Sequence, residues 1–388
     1  MKLIDSVVGR ASLLGERSLH WVSNAVERRF NAENFIVAGL TPFQEIHHDG
    51  LMSVRRYGPL TEDEIPVGDT MRKVERKTHR VPIVLVPPLA ATSLNFDLLP
   101  NRSLVKFLMA WGYRVYLIDW GNPQADHHHL GLADYTTRML PEALEKIRAD
   151  SGESEVTLFG YCMGGLFCLI YAGWSHDAQI RNIVTIASPI DSHQAGVAGK
   201  LLQMMDVPLR AMRRTLPVRN LPFHGLPIDA RWLRVPGWAS SLVFKLTNPL
   251  GTVQGYLDLL MNLWDRDYVT EYQTMATWFN RMHDYPGGIV QDFVLKVGFG
   301  NQLARGKINL NRKQQALLDR IDCSLLAIAG TGDKIVSVEA AKKVLDIVGS
   351  EDKDFLLAPG GHAGVFGGSK APGTSWTFAA DWLSTRSR

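Results

Sequence analysis

Residues 155–165, EVTLFGYCMGG, carry the reading that decides the fold. Val156–Phe159 is an unbroken run of β-branched, aliphatic and aromatic residues, as a strand buried on both faces requires. The apolar stretch from Met163 onward has the length of a helix rather than a strand. Between them stands the pattern G-x-nucleophile-x-G, with Gly160, Cys162 and Gly164 in the fixed places. A sharp strand-to-helix turn pushes its central residue into strained backbone geometry, so the positions two before and two after must be small. Gly165 then lets the helix approach the sheet. The thiol comes to a helix N-terminus, where the partial positive charge favours anionic sulfur. Cys168, six residues further on and inside the helix, is expected to be structural.

Working outward, the runs VPIVLVPPL (81–89), YRVYLIDW (113–120) and NIVTIASP (182–189) share this non-alternating character. Helical stretches Ser103–Trp111, Asp134–Arg148 and Met163–Trp174 separate them. Strand–helix–strand repetition at this spacing predicts a parallel sheet with right-handed crossovers. Upstream, two short extended segments flank the hairpin turn Asp49-Gly50. Residues 3–30 show Ile4, Val7, Ala11, Leu14, Val22, Ala25 and Val26 at helical spacing. That helix is read either as packed on its own domain or as a surface for a partner or lipid-like body.

After Pro189 the rhythm breaks. Residues 191–315 lack a comparable strand run, hold Trp232, Trp238, Trp264 and Trp278, and read as helical over 248–264 and 269–282. Strand and helix then resume with CSLLAIAGTGD (323–333), Val338–Val348, DFLLAPGGHAG (354–364) and Ser375–Ser384. The expected organisation is an N-terminal helical extension (1–40), a first part of an α/β core (41–190), a helical cap (191–315) and a second part of the core (316–388).

A cysteine nucleophile needs a base and a group to orient it. Asp333 closes the strand segment LLAIAGTGD, and His362 lies in the loop after the last strand. The order Cys162, Asp333, His362 is that of the α/β-hydrolase fold, a mostly parallel sheet with its cap after the sixth strand. Asp191 is the competing acid, but the glycine-rich turn before Asp333 suits an exposed catalytic carboxylate. The oxyanion hole is expected to combine the Met163 N–H with one from VPPLAAT, either Leu89 or Ala90. Arg210, Arg213, Arg214 and Arg219 form either a solvated basic face or an anchor for coenzyme A phosphates, with Arg213 and Arg214 as the candidate contacts. His127, His128 and His129 lack metal-ligand spacing and read as a loop, as does His47-His48. His193 and His224 lie in the insertion with nothing to single them out.

Composition narrows the classes. The chain has 388 residues, 46% hydrophobic and 21% charged, enough for a sizeable core. Forty-two basic against thirty-nine acidic residues leave +3, too balanced for a nucleic-acid protein. Three cysteines make no disulfide framework and suggest a reducing compartment. The longest apolar runs are too short for a transmembrane segment, and Asp5, Arg10 and Glu16 interrupt any signal-peptide core.

VPPLAATSLNFDLLPNRSLVKFL, YRVYLIDWGNP, LADYT, GYCMGG, GTGDKIVS and GGHAGVF, in this order, resemble the polyhydroxyalkanoate synthases, most closely the short catalytic subunits of the two-subunit classes. The resemblance covers roughly 41–385. It implies a cytoplasmic acyltransferase that polymerises (R)-3-hydroxyacyl-CoA and releases coenzyme A. No cofactor or metal is implied beyond the CoA thioester substrate. Cys162 would hold the growing chain as a thioester, His362 would activate the thiol and the incoming hydroxyl, and Asp333 would support the second deprotonation. A second synthase subunit or a homodimer, and a polymer granule surface, are the implied partners. The rival readings are a thioesterase or ester hydrolase on the same triad, and a non-catalytic granule-associated scaffold.

Overall fold

Helices cover both faces of the central strands, which is why those strands show no polar alternation. The computed structural model describes residues 2–195, 199–200, 202–204, 229–247 and 249–387. Its centre is an eight-stranded sheet of β1 (Phe43–Asp49), β2 (Met52–Tyr57), β3 (Ile83–Val86), β4 (Val115–Asp119), β5 (Val156–Tyr161), β6 (Ile180–Ile186), β7 (Ser324–Gly330) and β8 (Lys353–Ala358). The strands lie in the order β1-β2-β4-β3-β5-β6-β7-β8. The β1/β2 and β2/β4 pairs are antiparallel and the remaining pairs parallel. The chain leaves the sheet after β6 and returns at β7, so the insertion follows the sixth strand as the α/β-hydrolase reading predicts.

Side-chain alternation sorts each strand between two cores. Val84, Val86, Tyr116, Ile118 and Leu158 face one side, where α3 (Leu140–Ser151) and α4 (Met163–Ser175) bring Leu144, Leu166 and Phe167. Ile83, Leu85, Leu117, Phe159 and Tyr161 face the other, against α2 (Leu104–Ala110) and the C-terminal segment with Phe366 and Trp376. Every residue of β3 and β5 is buried. Truncating a fully buried leucine such as Leu166 to alanine is worth about 2–5 kcal/mol at such sites.

The insertion is not one layer. Its helices α5 (Gly237–Thr247), α6 (Pro249–Met261) and α7 (Arg266–Asn280) form the described part of the cap. Asp265 caps α7, its carboxylate accepting from the N–H groups of Asp267 and Tyr268. From α8 (Gly287–Asp292) onward the chain joins the main core, burying Ile289, Val297, Leu303 and Ile308 beside the α3/α4 face. A short ribbon, Lys307–Asn309 with Gln315–Leu317, closes the insertion, a pairing too short to register as a strand run. Its tryptophans split as well: Trp278 is 6% exposed against Phe279 and Phe366, whereas Trp232 is 83% exposed. The helix expected over 338–348 is two short pieces, Val338–Lys342 and Val344–Ile347.

The N-terminal helix α1 (Lys2–Phe30) docks on the cap rather than on the sheet. Trp21 Nε1 donates to Leu260 O at 3.0 Å, Asn24 Nδ2 to Leu263 O at 2.8 Å, and Glu27 pairs with Arg266 at 2.6 Å. Val22 and Val26, part of the stripe read from the sequence, point away with Leu19 and Phe30 and are exposed. No described helix is long and apolar enough to cross a membrane.

Candidate active site

Cys162 stands between β5 and α4 at φ +52°, ψ −117°, a conformation that costs a side chain of order 1–3 kcal/mol. Its surroundings hold it there. Cys162 N donates to Ile186 O at 2.8 Å, and Cys162 O accepts from Gly165 N at 3.1 Å. The turn is tight enough that a Cβ on Gly160 would lie 2.4 Å from Gly165 Cα, and one on Gly164 1.9 Å from Val86 O. The motif glycines are thus demanded by backbone contact. The half-buried thiol sits at the first turn of α4, whose N–H groups have no helical partner.

His362 opens the short helix His362–Gly367 and is 7% exposed. Its Nδ1 bonds Asp333 Oδ2 at 2.8 Å, and its ring is also hydrogen-bonded to Cys162. The Asp333 carboxylate is wholly buried, and Oδ1 accepts from Ile335 N at 2.8 Å and Val336 N at 2.9 Å. These bonds aim the carboxylate at the imidazole. Burial alone would push the His362 pKa down, but the charge of Cys162 and the bonds to Asp333 and Cys162 outweigh it and hold it up, at about 10. The arrangement therefore suits an imidazolium held between Asp333 and Cys162. Beneath the ring, Tyr161 OH donates to the His362 carbonyl at 3.1 Å and its ring stacks on Phe366.

Met163 begins α4, so its N–H is free of the helix ladder. Leu89 and Ala90 are both buried on the loop after β3. That loop is tied down from two sides. Trp120 Nε1 donates to Pro87 O at 2.8 Å, and Ala90 O accepts from His283 N at 2.9 Å. Asp119, at the end of β4, accepts from Ser93 Oγ at 2.7 Å and pairs with Arg55.

Between the cap and the His362 loop lies a cavity of about 760 Å³, lined by Phe244, Tyr256, Leu257, Met275 and Phe279 and reaching His362. Lys245 and Lys334 stand on its wall. A second cavity of about 430 Å³, near Tyr57, Arg76 and Tyr113, opens at the opposite end of the strands and touches none of these groups.

The alpha/beta hydrolase fold profile matches residues 81–369. The chain belongs to the α/β hydrolase fold family. This α/β hydrolase is also similar along nearly its whole length to named poly(3-hydroxyalkanoate) polymerase subunits PhaC. The one from Haloferax mediterranei is 28% identical over 94% of this chain and 68% of its own length. That from Allochromatium vinosum is 28% identical over 94% of both chains. That from Thiocystis violacea is 27% identical over 100% of this chain and 98% of its own. The resemblance to the synthases read from the motifs is borne out by these relatives.

Other candidate residues fall elsewhere in this α/β hydrolase. Asp191, the competing acid, caps the turn Ser192–Gln194 and accepts from Asn301 Nδ2 at 2.7 Å, joining core to insertion. His193 bonds Gly298 O and His47 bonds Glu142. His128 and His129 bond main-chain carbonyls of their own turn. Among the described residues no group of three or more His, Cys, Asp or Glu could hold a metal. Cys168 is sealed in the core, where burial pushes its thiol up; the same cause takes Cys323 to about 12. Arg210, Arg213, Arg214, Arg219 and His224 lie outside the described residues. Sequence reasoning missed the Asp119–Trp120 clamp, although LIDWG ends a strand at the site. It also missed Tyr161, which occupies a variable position inside the elbow pattern, and the strap carrying His283 and Tyr285, which matches no motif.

Proposed function

We propose that this chain polymerises (R)-3-hydroxyacyl-CoA into polyhydroxyalkanoate with release of coenzyme A, through a thioester on Cys162. The observation that carries the reading is a cysteine at the nucleophile elbow, hydrogen-bonded to a buried His362–Asp333 pair at one end of an apolar cavity. The similarity to PhaC subunits supplies the substrate class. The sulfur of Cys162 attacks the thioester carbonyl, and the coenzyme A thiolate leaves with the proton that His362 carries. His362, neutral again and oriented by Asp333, then takes the proton of an incoming 3-hydroxyl as it attacks the enzyme-bound acyl group. Met163 N–H with Leu89 or Ala90 is the proposed oxyanion hole.

Cysteine suits this task. Transfer from a CoA thioester to an enzyme thioester is nearly isoenergetic, so the acyl group stays reactive toward the next hydroxyl, and an apolar cavity keeps water away. Arg213 and Arg214 remain candidate contacts for the coenzyme A phosphates. A companion subunit or second copy, cytoplasmic location and a granule surface belong to the same proposal.

The test is to supply 3-hydroxybutyryl-CoA to the purified chain, alone and with any companion subunit encoded beside it, and to separate the products by chromatography. Oligomeric ester is expected. Stoichiometric monomeric 3-hydroxy acid under both conditions would make the chain a thioesterase.

A further inference from the structure

Trp120, just after β4, touches both elements that would supply the oxyanion donors. Its buried ring stands edge-on to Phe167 of α4, with ring centres 5.8 Å apart, and to Tyr135 at 5.5 Å. α4 is the helix that begins with Met163. From the same ring Nε1 donates to Pro87 O at 2.8 Å, on the loop after β3. That loop lies hard against the elbow: a Cβ on Gly164 would come within 1.9 Å of Val86 O and 3.0 Å of the Pro87 carbonyl carbon. Asp119 holds the far end of the loop, Oδ2 accepting from Ser93 Oγ at 2.7 Å and Oδ1 from Gly121 N at 2.9 Å. The strap of residues 282–286, between α7 and α8, adds a third tie, from His283 N to Ala90 O at 2.9 Å.

The sequence makes the bond to Pro87 O consequential. The next residue is Pro88, which has no N–H and whose ring fixes φ near about −65°. With the peptide units planar, one soft torsion separates the held Pro87 carbonyl from the Leu89 N–H. Orienting the first therefore largely orients the second. We propose that Trp120 is a positioning residue that sets the spacing of the oxyanion donors, Met163 N–H through Phe167 and Leu89 N–H through Pro87. The inference rests on the reading of Cys162 as nucleophile with those two N–H groups as its oxyanion hole. As the new carbon–sulfur bond forms, the carbonyl π pair moves onto oxygen, between the two donors. As the pair returns, the carbonyl is restored and the leaving group departs with its own bonding pair. No proton passes from Trp120, whose N–H stays on Pro87 O throughout.

Two reactions of the same sulfur separate this role from a structural one. Acylation by p-nitrophenyl butyrate passes through an oxyanion; alkylation by iodoacetamide displaces iodide at a saturated carbon and does not. Both would be measured on the full chain and on Trp120→Phe, which keeps an aromatic ring against Phe167 but has no N–H for Pro87 O. Acylation at saturating ester should slow by about 10–100-fold with little change in KM, while alkylation stays within about twofold. Acylation within twofold of the unsubstituted chain, or faster, would overturn the proposal. Parallel loss of both reactions would overturn it too, making Trp120 a packing residue that serves the thiol itself. Where Trp120→Phe does not fold, Ser93→Ala, which frees the far end of the loop, carries the test. The expected loss is then about tenfold in acylation alone, and the same two results overturn the proposal. Peptide mapping of the unsubstituted chain distinguishes the parent reading: acyl label found elsewhere than Cys162 overturns the nucleophile and this proposal together.

Discussion

The elbow around Cys162 and the cap helices that face it differ in what holds them. At the elbow, backbone packs against backbone: Gly160 against Gly165, and Gly164 against Val86 O. The strands on either side are buried on both faces. In the cap, α5 and α6 leave Trp238, Val243, Leu246 and Val253 exposed, and contact with the core runs through side chains and the strap at 282–286. A densely packed scaffold fixes reacting atoms to within tenths of an ångström, while a looser cover has room to adapt to the ligand it encloses. Substitutions in the first region should therefore strike chemistry or folding, and substitutions in the second should strike choice of substrate.

The largest effect is expected at the nucleophile. Cys162→Ala should lower coenzyme A release by on the order of 10⁴-fold or more while the far-UV circular dichroism stays unchanged. Substantial residual turnover would show that the elbow is not where the chemistry occurs. Next comes Gly164→Ala, which drives a methyl to 1.9 Å from Val86 O. A loss of about 3 kcal/mol in urea unfolding is expected, because the clash is with backbone. A change below about 0.5 kcal/mol, the range of ordinary surface substitutions, would mean that the elbow is no more tightly packed than the cap.

A smaller, pH-dependent effect belongs to His362. Its pKa is raised above the usual histidine value to about 10. A raised pKa adds stability that is present in full below about pH 6.5 and is lost as pH rises through about 10. The Tm difference between the native chain and His362→Gln should shrink across that window, and a constant difference would contradict the ion-pair reading. The smallest effect on the reaction itself is expected in the cap. Phe279→Ala opens the cavity wall and should move preference toward longer acyl groups by about tenfold. Unchanged preference would separate this cavity from the acyl site.

The same contrast explains what could be read from the sequence. β3, β4, β5 and β6 were legible because strands buried on both faces admit few residue types. The elbow was legible because its glycines answer to backbone distances, and Asp333 and His362 because each follows its own strand. Tyr285 and His283 were not, since their position comes from a strap crossing loops nearly two hundred residues away in the chain, and no local spacing encodes that. Val22 and Val26 show the converse. Helical spacing placed them in one stripe with Ala25, read as packed on the domain or as a partner surface. Ala25 packs on the cluster of Phe35, Leu259, Leu263 and Val269, and Asn24 and Glu27 dock the helix beside it, but the valines face out.

The central claim is a covalent acyl group on Cys162. Rapid quenching at low pH after mixing with 3-hydroxybutyryl-CoA, followed by peptide mass spectrometry, tests it most directly. A mass increase of one 3-hydroxybutyryl unit or an oligomer of it, on the peptide containing Cys162 and absent from Cys162→Ala, is the predicted result. Acyl label on Cys168, Cys323 or a serine, with Cys162 unmodified, would contradict the account.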